Sequence, residues 1–369
     1  MSVETLGDVS GRKATSTRIE VMLRQAEPLV IPLGALLASF ALFSIFLLLV
    51  GKSPLTFFSL VYLAGFGTGF SWENTLSRTA PLLLAALCVA LPARLGLVVI
   101  GGEGAIVLGG VSAGVLGMHA TGLPGAVGIV AMALIAAGVG GLWIGMVGLL
   151  RHWRGVNETI ASLLMAYIAI ALMNHLIDGP FRDPSSLNKP ATSNLPEAYR
   201  IGTLPGIEVH WGLLVGVIAC VASWFLLERT TWGFAARIMG GNERAARVQG
   251  LSTGRLMLAF TFLAGAFAGL AGMIEVAAVH GAANASLVSG YGYTGILIAF
   301  LARQNALAII PVTILLAGFE ASSGLIQRRM DLPDATILVL QGIVFITILT
   351  SETLFGRIAV LQPHYWRRG

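Results

Sequence analysis

Charged residues are scarce in this chain: Asp, Glu, Lys and Arg together make up 11 % of its 369 residues. A soluble domain carries about a quarter of its residues as charges, so a water-facing surface of ordinary composition is excluded. Cysteine is nearly absent as well, and Cys88 and Cys220 both fall inside apolar runs. These two residues do not indicate a disulfide framework, and no cluster of Cys and His suggests a metal site.

The chain is instead rich in long apolar runs. Hydrophobic residues make up 56 % of the chain and the mean hydropathy is +0.83, and several runs approach the roughly 20 residues that cross a bilayer as a helix. We predict an all-α fold, a polytopic transmembrane helical bundle with about ten membrane segments, some broken or re-entrant. The segments are 30–50, 79–93, 95–118, 124–150, 158–177, 211–228, 256–279, 291–302, 306–326 and 335–350.

The positive charges indicate an orientation. With both termini placed in the cytoplasm, sixteen of the 23 lysines and arginines lie on the cytoplasmic side, as the positive-inside rule expects. The basic residues lie mostly in short loops beside spans, which favours a lipid membrane and not nucleic acid as the partner.

The same order divides the chain. We expect a flexible cytoplasmic tail (1–29) that is not a cleavable signal peptide, a transmembrane domain (30–355) and a cytoplasmic tail (356–369). Within the membrane domain, 178–210 forms an external loop and 229–255 a cytoplasmic loop.

Two of the ten segments do not fit simple spans. Residues 79–119 contain two prolines and the glycine-rich stretch "GLVVIGGEGAIVLGG", and residues 291–302 form a run of only twelve. Broken helices are tolerated at membrane depth only where protein or a water-filled cavity satisfies their backbone. We therefore expect a transport pathway there; the alternative is that the segment boundaries are displaced by a few residues.

A short basic segment, "GGNERAARVQGLSTGR" (240–255), separates two apolar runs. Asn242 is a good N-cap, Glu243 suits the first turn and Gly250 suits a helix end, which predicts a helix of about two turns. Ala245, Ala246 and Val248 would leave a small face for a cytosolic partner. The alternative is a basic loop that contacts lipid head groups.

Five residues are candidates for the pathway. Glu103 lies in the glycine-rich break, where a buried charge is a functional hypothesis, or else it bonds the free backbone of the break. Glu275 and His280 could line an entrance, or they could pair with each other or cap the helix end, and the cap is slightly favoured. Tyr167 and Asn174 could face the pathway from the segment 158–177. No catalytic pair or nucleophile with a matching base is present, so we do not expect an enzyme.

Four stretches, in order along the chain, resemble one family. "LPARLGLVVIGGEGAIVLGG" (91–110), "GVNETIASLLMAYIA" (155–169), "AARVQG" (245–250) and "GYGYTGILIAFLARQNALAI" (290–309) are similar to permease subunits of bacterial ABC importers. The superfamily is that of branched-chain amino acid and simple-sugar permeases, and the nucleoside-type branch is the most similar. The resemblance covers about 30–355. The chain departs from the pattern at Val99, Ala105 and Ala166, where polar residues are common, and this suggests a site with fewer hydrogen-bonding groups.

The resemblance implies a subunit of the bacterial plasma membrane that carries nucleosides or nucleobases, then simple sugars, then branched-chain amino acids. It implies cytosolic ATPase subunits, a second permease chain and an external binding protein or lipoprotein as partners, and no cofactor. The chain has no Gly-x-x-x-x-Gly-Lys-[Ser/Thr] motif, so ATP hydrolysis is expected on a separate subunit. An ion-coupled secondary transporter is the alternative. The residues that would couple to the ATPase are Asn242, Glu243, Arg244, Ala245, Ala246, Arg247 and Gly250.

Overall fold

The computed structural model describes residues 33–120, 122–186 and 189–352. The two predicted tails, 1–29 and 356–369, lie outside these residues. The contacts group the described chain into two compact units, one of 33–58 with 327–352 and one of 59–326. In the first unit Phe43 and Phe57 are fully buried with ring centroids 5.0 Å apart.

Helices account for the architecture of the described residues. They are α1 (Leu33–Leu49), α2 (Pro54–Gly65), α3 (Gly69–Ala93), α4 (Gly102–His119), α5 (Gly125–Arg154), α6 (Glu158–Asp178), α7 (Gly212–Arg229), α8 (Thr231–Gly241), α9 (Glu243–Val248), α10 (Thr253–Ile274), α11 (Tyr291–Leu301), α12 (Ile309–Met330) and α13 (Ala335–Glu352). A π-helical turn, Glu275–His280, continues α10.

The expected all-α membrane bundle is confirmed. Six helices of the described chain are long and apolar enough to cross a bilayer, and a seventh span results if α1 and α2, which meet at a bend of 119°, count as one. Each of the ten predicted segments contains a helix or part of one, and residues 95–101 of the third segment are not helical. The sequence did not predict α2, α8 or the first ten residues of α3. In α3, Asn74 and Arg78 lower the hydropathy of those ten residues.

Glycines bring three helices of the larger unit into backbone contact. α10 packs mainly against α5, α3 and α4, and a Cβ on Gly140 of α5 would lie 2.8 Å from the Cα of Gly269 in α10. A Cβ on Gly109 of α4 would meet the same residue, 2.6 Å from its carbonyl oxygen. Small residues permit this approach, which in lipid replaces the hydrophobic effect as a source of helix association. These glycines therefore mark the contact between α5 and α10.

A valine at Gly140 tests this contact. The added side chain would collide with the backbone of α10, and overpacking of this kind costs about 1–3 kcal/mol or more. We expect Gly140→Val to lower the thermal unfolding midpoint of the detergent-solubilised protein by several degrees. Gly138→Val is the matched control, since a Cβ two residues earlier on the same helix meets no atom within 4 Å. Equal midpoints for the two variants would contradict the packing described here.

Candidate functional site

The chain between α3 and α4 is a real break in the helical structure. Its backbone groups bond to α6: Ile100 N–H donates to Ser162 Oγ (3.0 Å), and Thr159 Oγ1 donates to the carbonyl of Val98 (2.9 Å). Val98 N–H lies 3.4 Å from Glu158 Oε1. Non-helical backbone at membrane depth must be satisfied by protein or water. The polar side chains at the start of α6 therefore hold the break in place.

Glu103 follows the break and is fully buried in the first turn of α4. Its Oε1 accepts a hydrogen bond from Gly290 N–H (2.8 Å), and its Oε2 accepts one from Gly292 N–H (2.6 Å). These amides open α11, whose first N–H groups have no partner within their own helix. A carboxylate at a helix N-terminus also interacts favourably with the helix dipole. Glu103 thus joins α4 to α11 as a cap, and its role in a pathway stays a prediction.

A second polar group forms around the π-helical turn. Glu275 Oε2 and His280 Nε2 lie 3.4 Å apart, which is the pairing that the sequence left as an alternative to a helix cap, and Glu275 is 3 % exposed. Tyr291 hydrogen-bonds to Glu275, and Arg78 and Glu320 lie within electrostatic range of it. Among the described residues no group of three His, Cys, Asp or Glu could hold a metal ion.

The sequence analysis missed Arg78 and Glu320 as members of this group. Glu320 lies within a predicted apolar segment, and an ionisable residue in a span is itself a functional signal. Thr294 Oγ1 donates to its Oε1 at 3.0 Å. The lone acid of that segment could therefore have been singled out from the sequence.

The two candidates on α6 are exposed. Tyr167 is 59 % exposed, and Asn174, two turns further along, is exposed too. The three residues at which the chain departs from the family pattern are not exposed. They are Val99, Ala105 and Ala166, and each is fully buried within the chain. The polar groups that the sequence lacks at these positions would therefore not face the open side of α6.

The described part of the long loop, 178–186 and 189–210, contacts the π-helical turn and the chain that follows it. Leu195 N–H donates to the carbonyl of Gly281 (2.8 Å), and Ile201 N–H donates to that of Ala277 (3.0 Å). Tyr199 is buried and its hydroxyl donates to the carbonyls of Ala120 and Leu123. These contacts tie the loop to the bundle.

The basic segment contains the predicted short helix, observed as α9. Asn242 is its N-cap, with Oδ1 accepting from Ala245 N–H at 3.1 Å, and Arg247 pairs with Glu243. Gly250 follows with φ +80°, a left-handed conformation that favours glycine. Arg244 is exposed.

The exposed face of α9 differs from the expected one. Ala246 has no exposed surface and packs inside the chain, whereas Val248 is 89 % exposed and Ala245 is exposed as well. The interpretation of Ala246 as part of a docking face is therefore wrong. In so short a helix the apolar spacing cannot distinguish the face that packs inward from the face that remains free. Ala245 and Val248 form the free face.

The end of α8 touches the turn after α3. A Cβ on Gly240 would meet the carbonyl of Arg94, and it would lie 3.4 Å from the amide of Gly96. Glu228 of α7 forms ion pairs with both elements. Its Oε1 lies 3.5 Å from the guanidinium of Arg94, and its Oε2 lies 2.9 Å from that of Arg237 in α8. The basic segment and the break are therefore neighbours in space.

A cavity of about 500 Å³ opens between α4, α5 and α6. Its lining is apolar apart from Ser112, His119 and the indole of Trp143. A polar solute would lose its hydrogen bonds there, so this cavity does not suit one.

Replacement of Glu103 tests its role as a cap. Glutamine offers one acceptor oxygen and presents N–H groups to the second amide, which would leave a buried donor without a partner at a cost of about 1–3 kcal/mol. We expect Glu103→Gln to lower the thermal unfolding midpoint by several degrees. Glu208→Gln, an exposed acid of the long loop, is the control. A midpoint for Glu103→Gln as high as that of the control would rule out the cap.

His210, at the end of the long loop, gives a pH dependence. It is buried, its Nε2 donates to the carbonyl of Ser77 (3.1 Å), and burial lowers the pKa of its imidazole. A lowered folded-state pKa contributes stability that is present above the unfolded value, about 6.5, and is lost as the pH falls through the folded one. We expect the wild-type midpoint to fall between pH 7.5 and 5 more than that of His210→Gln, which keeps a donor but does not titrate. Parallel pH profiles would contradict this assignment.

The comparisons with known proteins agree with this architecture. The family described as "Branched-chain amino acid transport system / permease component" matches residues 71–349. The glucose ABC transporter permease protein of Haloferax volcanii is 31 % identical over 87 % of this chain and 87 % of its own length. The guanosine permease of Bacillus subtilis is 27 % identical (90 % and 96 %), and the nucleoside permease of Lactococcus lactis is 23 % identical (88 % and 92 %). The match covers well over half of the chain, which therefore belongs to the family of branched-chain amino acid transport system permease components.

Proposed function

We propose that this chain is the membrane-spanning permease subunit of an ATP-driven importer for nucleosides or nucleobases. Simple sugars are the next substrate class, followed by branched-chain amino acids. The observation that carries the proposal is α9, a helix of six residues with an exposed apolar side chain, Val248, in the segment that links the membrane helices α7 and α10. An exposed apolar residue on so short an element is suited to contact with another protein.

The energy source is proposed to lie on a partner. The chain contains no P-loop motif, and the relatives are named as permease proteins of ABC transporters. We assign ATP hydrolysis to cytosolic ATPase subunits that bind α9. The cap residue Asn242 and the Glu243–Arg247 pair hold this helix in shape, and Ala245 and Val248 supply the contact.

The remaining partners follow from the same architecture. A second permease chain, a copy or a paralogue, would complete the pathway, and an external binding protein or lipoprotein would contact the long loop. Both termini are assigned to the cytoplasm on the distribution of Lys and Arg. The multi-pass chain would then place α9 on the cytoplasmic side and the long loop on the opposite side.

The substrate class rests on two observations. Two of the three relatives are named for guanosine or nucleosides and one for glucose. The open side of α6 carries a tyrosine and an asparagine and no charged side chain between them, which suits an uncharged polar solute. Tyr167 and Asn174 are therefore assigned to the pathway, and Glu103, Glu275 and His280 are assigned to the walls behind it.

An ion-coupled carrier is the second candidate. The observation that favours it is the buried Glu275 with the partly buried His280 and Arg78 beside it, because buried acids serve as coupling sites in secondary transporters. Such a carrier would need no ATPase, and α9 would then have no partner.

Uptake into proteoliposomes separates the two candidates. The chain is purified with its co-extracted partners and reconstituted into proteoliposomes. ATP is supplied on the side of the ATPase subunits, and tritiated guanosine is supplied on the opposite side. We expect ATP-dependent uptake. Uptake that needs a proton or sodium gradient and no ATP would overturn the proposal in favour of a carrier.

A variant of α9 tests the contact with the ATPase. Val248→Glu would place a charge in a contact that excludes water, which is strongly unfavourable without a partner charge. We expect at least about a tenfold loss of ATP-dependent uptake and of co-purified ATPase, with unchanged yield of the chain. Val248→Thr, which keeps the shape without the charge, is the control. Wild-type uptake and wild-type ATPase recovery in Val248→Glu would remove α9 from the coupling surface.

A further inference from the structure

The start of α4 lies between α6 and α11, with contacts close enough to involve backbone atoms. On one side a Cβ on Gly104 would lie 2.8 Å from the Cα of Ala166. On the other side a Cβ on Gly292 would lie 2.7 Å from the Cα of Glu103. The residues that follow these contacts in α6 and α11 are Tyr167 and Tyr293. The two tyrosines therefore flank the same pair of residues, Glu103 and Gly104.

The two phenol groups also lie within electrostatic range of each other, and Tyr293 lies within the same range of Glu103. The rings are open, with Tyr167 59 % exposed and Tyr293 40 % exposed, while Glu103 behind them has no exposed surface. The exposed surface at this place is thus formed by the two tyrosine rings, and the carboxylate of Glu103 is not part of it.

Their depth in the membrane makes this exposure informative. Tyr167 is the tenth of the 21 residues of α6, about 14 Å along the helix at 1.5 Å per residue. Tyrosines in contact with lipid prefer the interfaces, where the hydroxyl meets water. Within the described chain no hydrogen bond occupies either hydroxyl. Two exposed tyrosine hydroxyls away from the membrane interface therefore need hydrogen-bond partners from water or a polar solute, which hydrocarbon cannot supply.

We propose that Tyr167 and Tyr293 form an aromatic pair that holds the ring of the transported solute halfway along the pathway. The phenol faces stack on a flat or cyclic uncharged ring, and the hydroxyls bond its polar edge. This pair determines the substrate class, a nucleobase or a sugar ring as opposed to an aliphatic amino acid. The proposal rests on the proposed importer function and adds Tyr293, which the sequence did not indicate.

Cysteine labelling tests where the pair lies. The chain has two cysteines, Cys88 and Cys220, and both are buried, so an introduced thiol can be followed by mass on this chain within the intact complex. Tyr167→Cys and Tyr293→Cys are treated with a charged, water-soluble methanethiosulfonate reagent, with and without a non-hydrolysable ATP analogue. We expect modification of both in at least one condition. Leu142→Cys is the lipid-facing control, because Leu142 is an apolar residue of α5 that is 66 % exposed. We expect this cysteine to remain unmodified.

Substitution kinetics test what the pair holds. Loss of one base–aromatic stack is worth about 1–3 kcal/mol, so the half-saturating guanosine concentration for ATP-dependent uptake should rise about tenfold in Tyr293→Leu and in Tyr167→Leu. Phenylalanine retains the stacking face, so the corresponding Phe variants should lose distinctly less. Tyr62→Leu, at a tyrosine 66 % exposed on α2, serves as the control for removal of an exposed ring.

The outcomes separate this proposal from the importer function. Unmodified cysteines at both positions, or Leu variants with the half-saturating concentration of the wild type, overturn the aromatic pair even when wild-type uptake is normal. Labelled cysteines with equal effects of Phe and Leu would also overturn stacking. If the wild-type complex transports neither guanosine nor glucose with ATP, the importer function fails on its own, independently of the labelling result.

Discussion

An unpaired amide inside hydrocarbon costs several kcal/mol, and this constraint decides how the centre of the larger unit is built. The chain leaves the helical conformation before α4 and again before α11, so two sets of backbone groups need partners at depth. Ser162 and Thr159 of α6 satisfy the first set, and the two oxygens of Glu103 satisfy the second. Because these partners belong to different helices, satisfying the backbone also fixes α4, α6 and α11 relative to one another.

Packing and polar support lie at different places along α4. Its glycines, Gly109 and Gly110, approach α10 closely, and the contact consists of backbone and small side chains. Its first turn carries Glu103 and faces the start of α11. One helix thus has a part held by close van der Waals contact and a part held by hydrogen bonds. The open side of α6 lies beside the hydrogen-bonded part, where polar groups and exposed rings meet.

The sequence predicted much of the fold because the signals are local. Apolar length located the segments, and the Asn242 cap and Gly250 located α9. The glycine-rich stretch before Glu103 also indicated a broken helix, which the structure confirms.

The rest depends on tertiary contacts. The free face of α9 depends on packing that leaves Ala246 inside, and no pattern of six residues contains that information. Tyr167 and Tyr293 are far apart in sequence and come within electrostatic range of each other only through the packing of α6 and α11 on the start of α4. Glu320 is the exception: it was missed although an acid in an apolar run is a recognisable signal.

The contact of Gly240 with the turn at Arg94 and Gly96 involves main-chain atoms on both sides. A contact of this kind depends on the path of the chain and on the absence of one side chain, and it is indifferent to most of the residues around it. The surface of the basic segment can therefore change its charges and shape to suit a different partner without loosening its hold on the membrane domain. Recognition of a partner and attachment to the membrane domain are separable properties of this segment. Of its residues, Gly240 is the one that the main-chain contact requires.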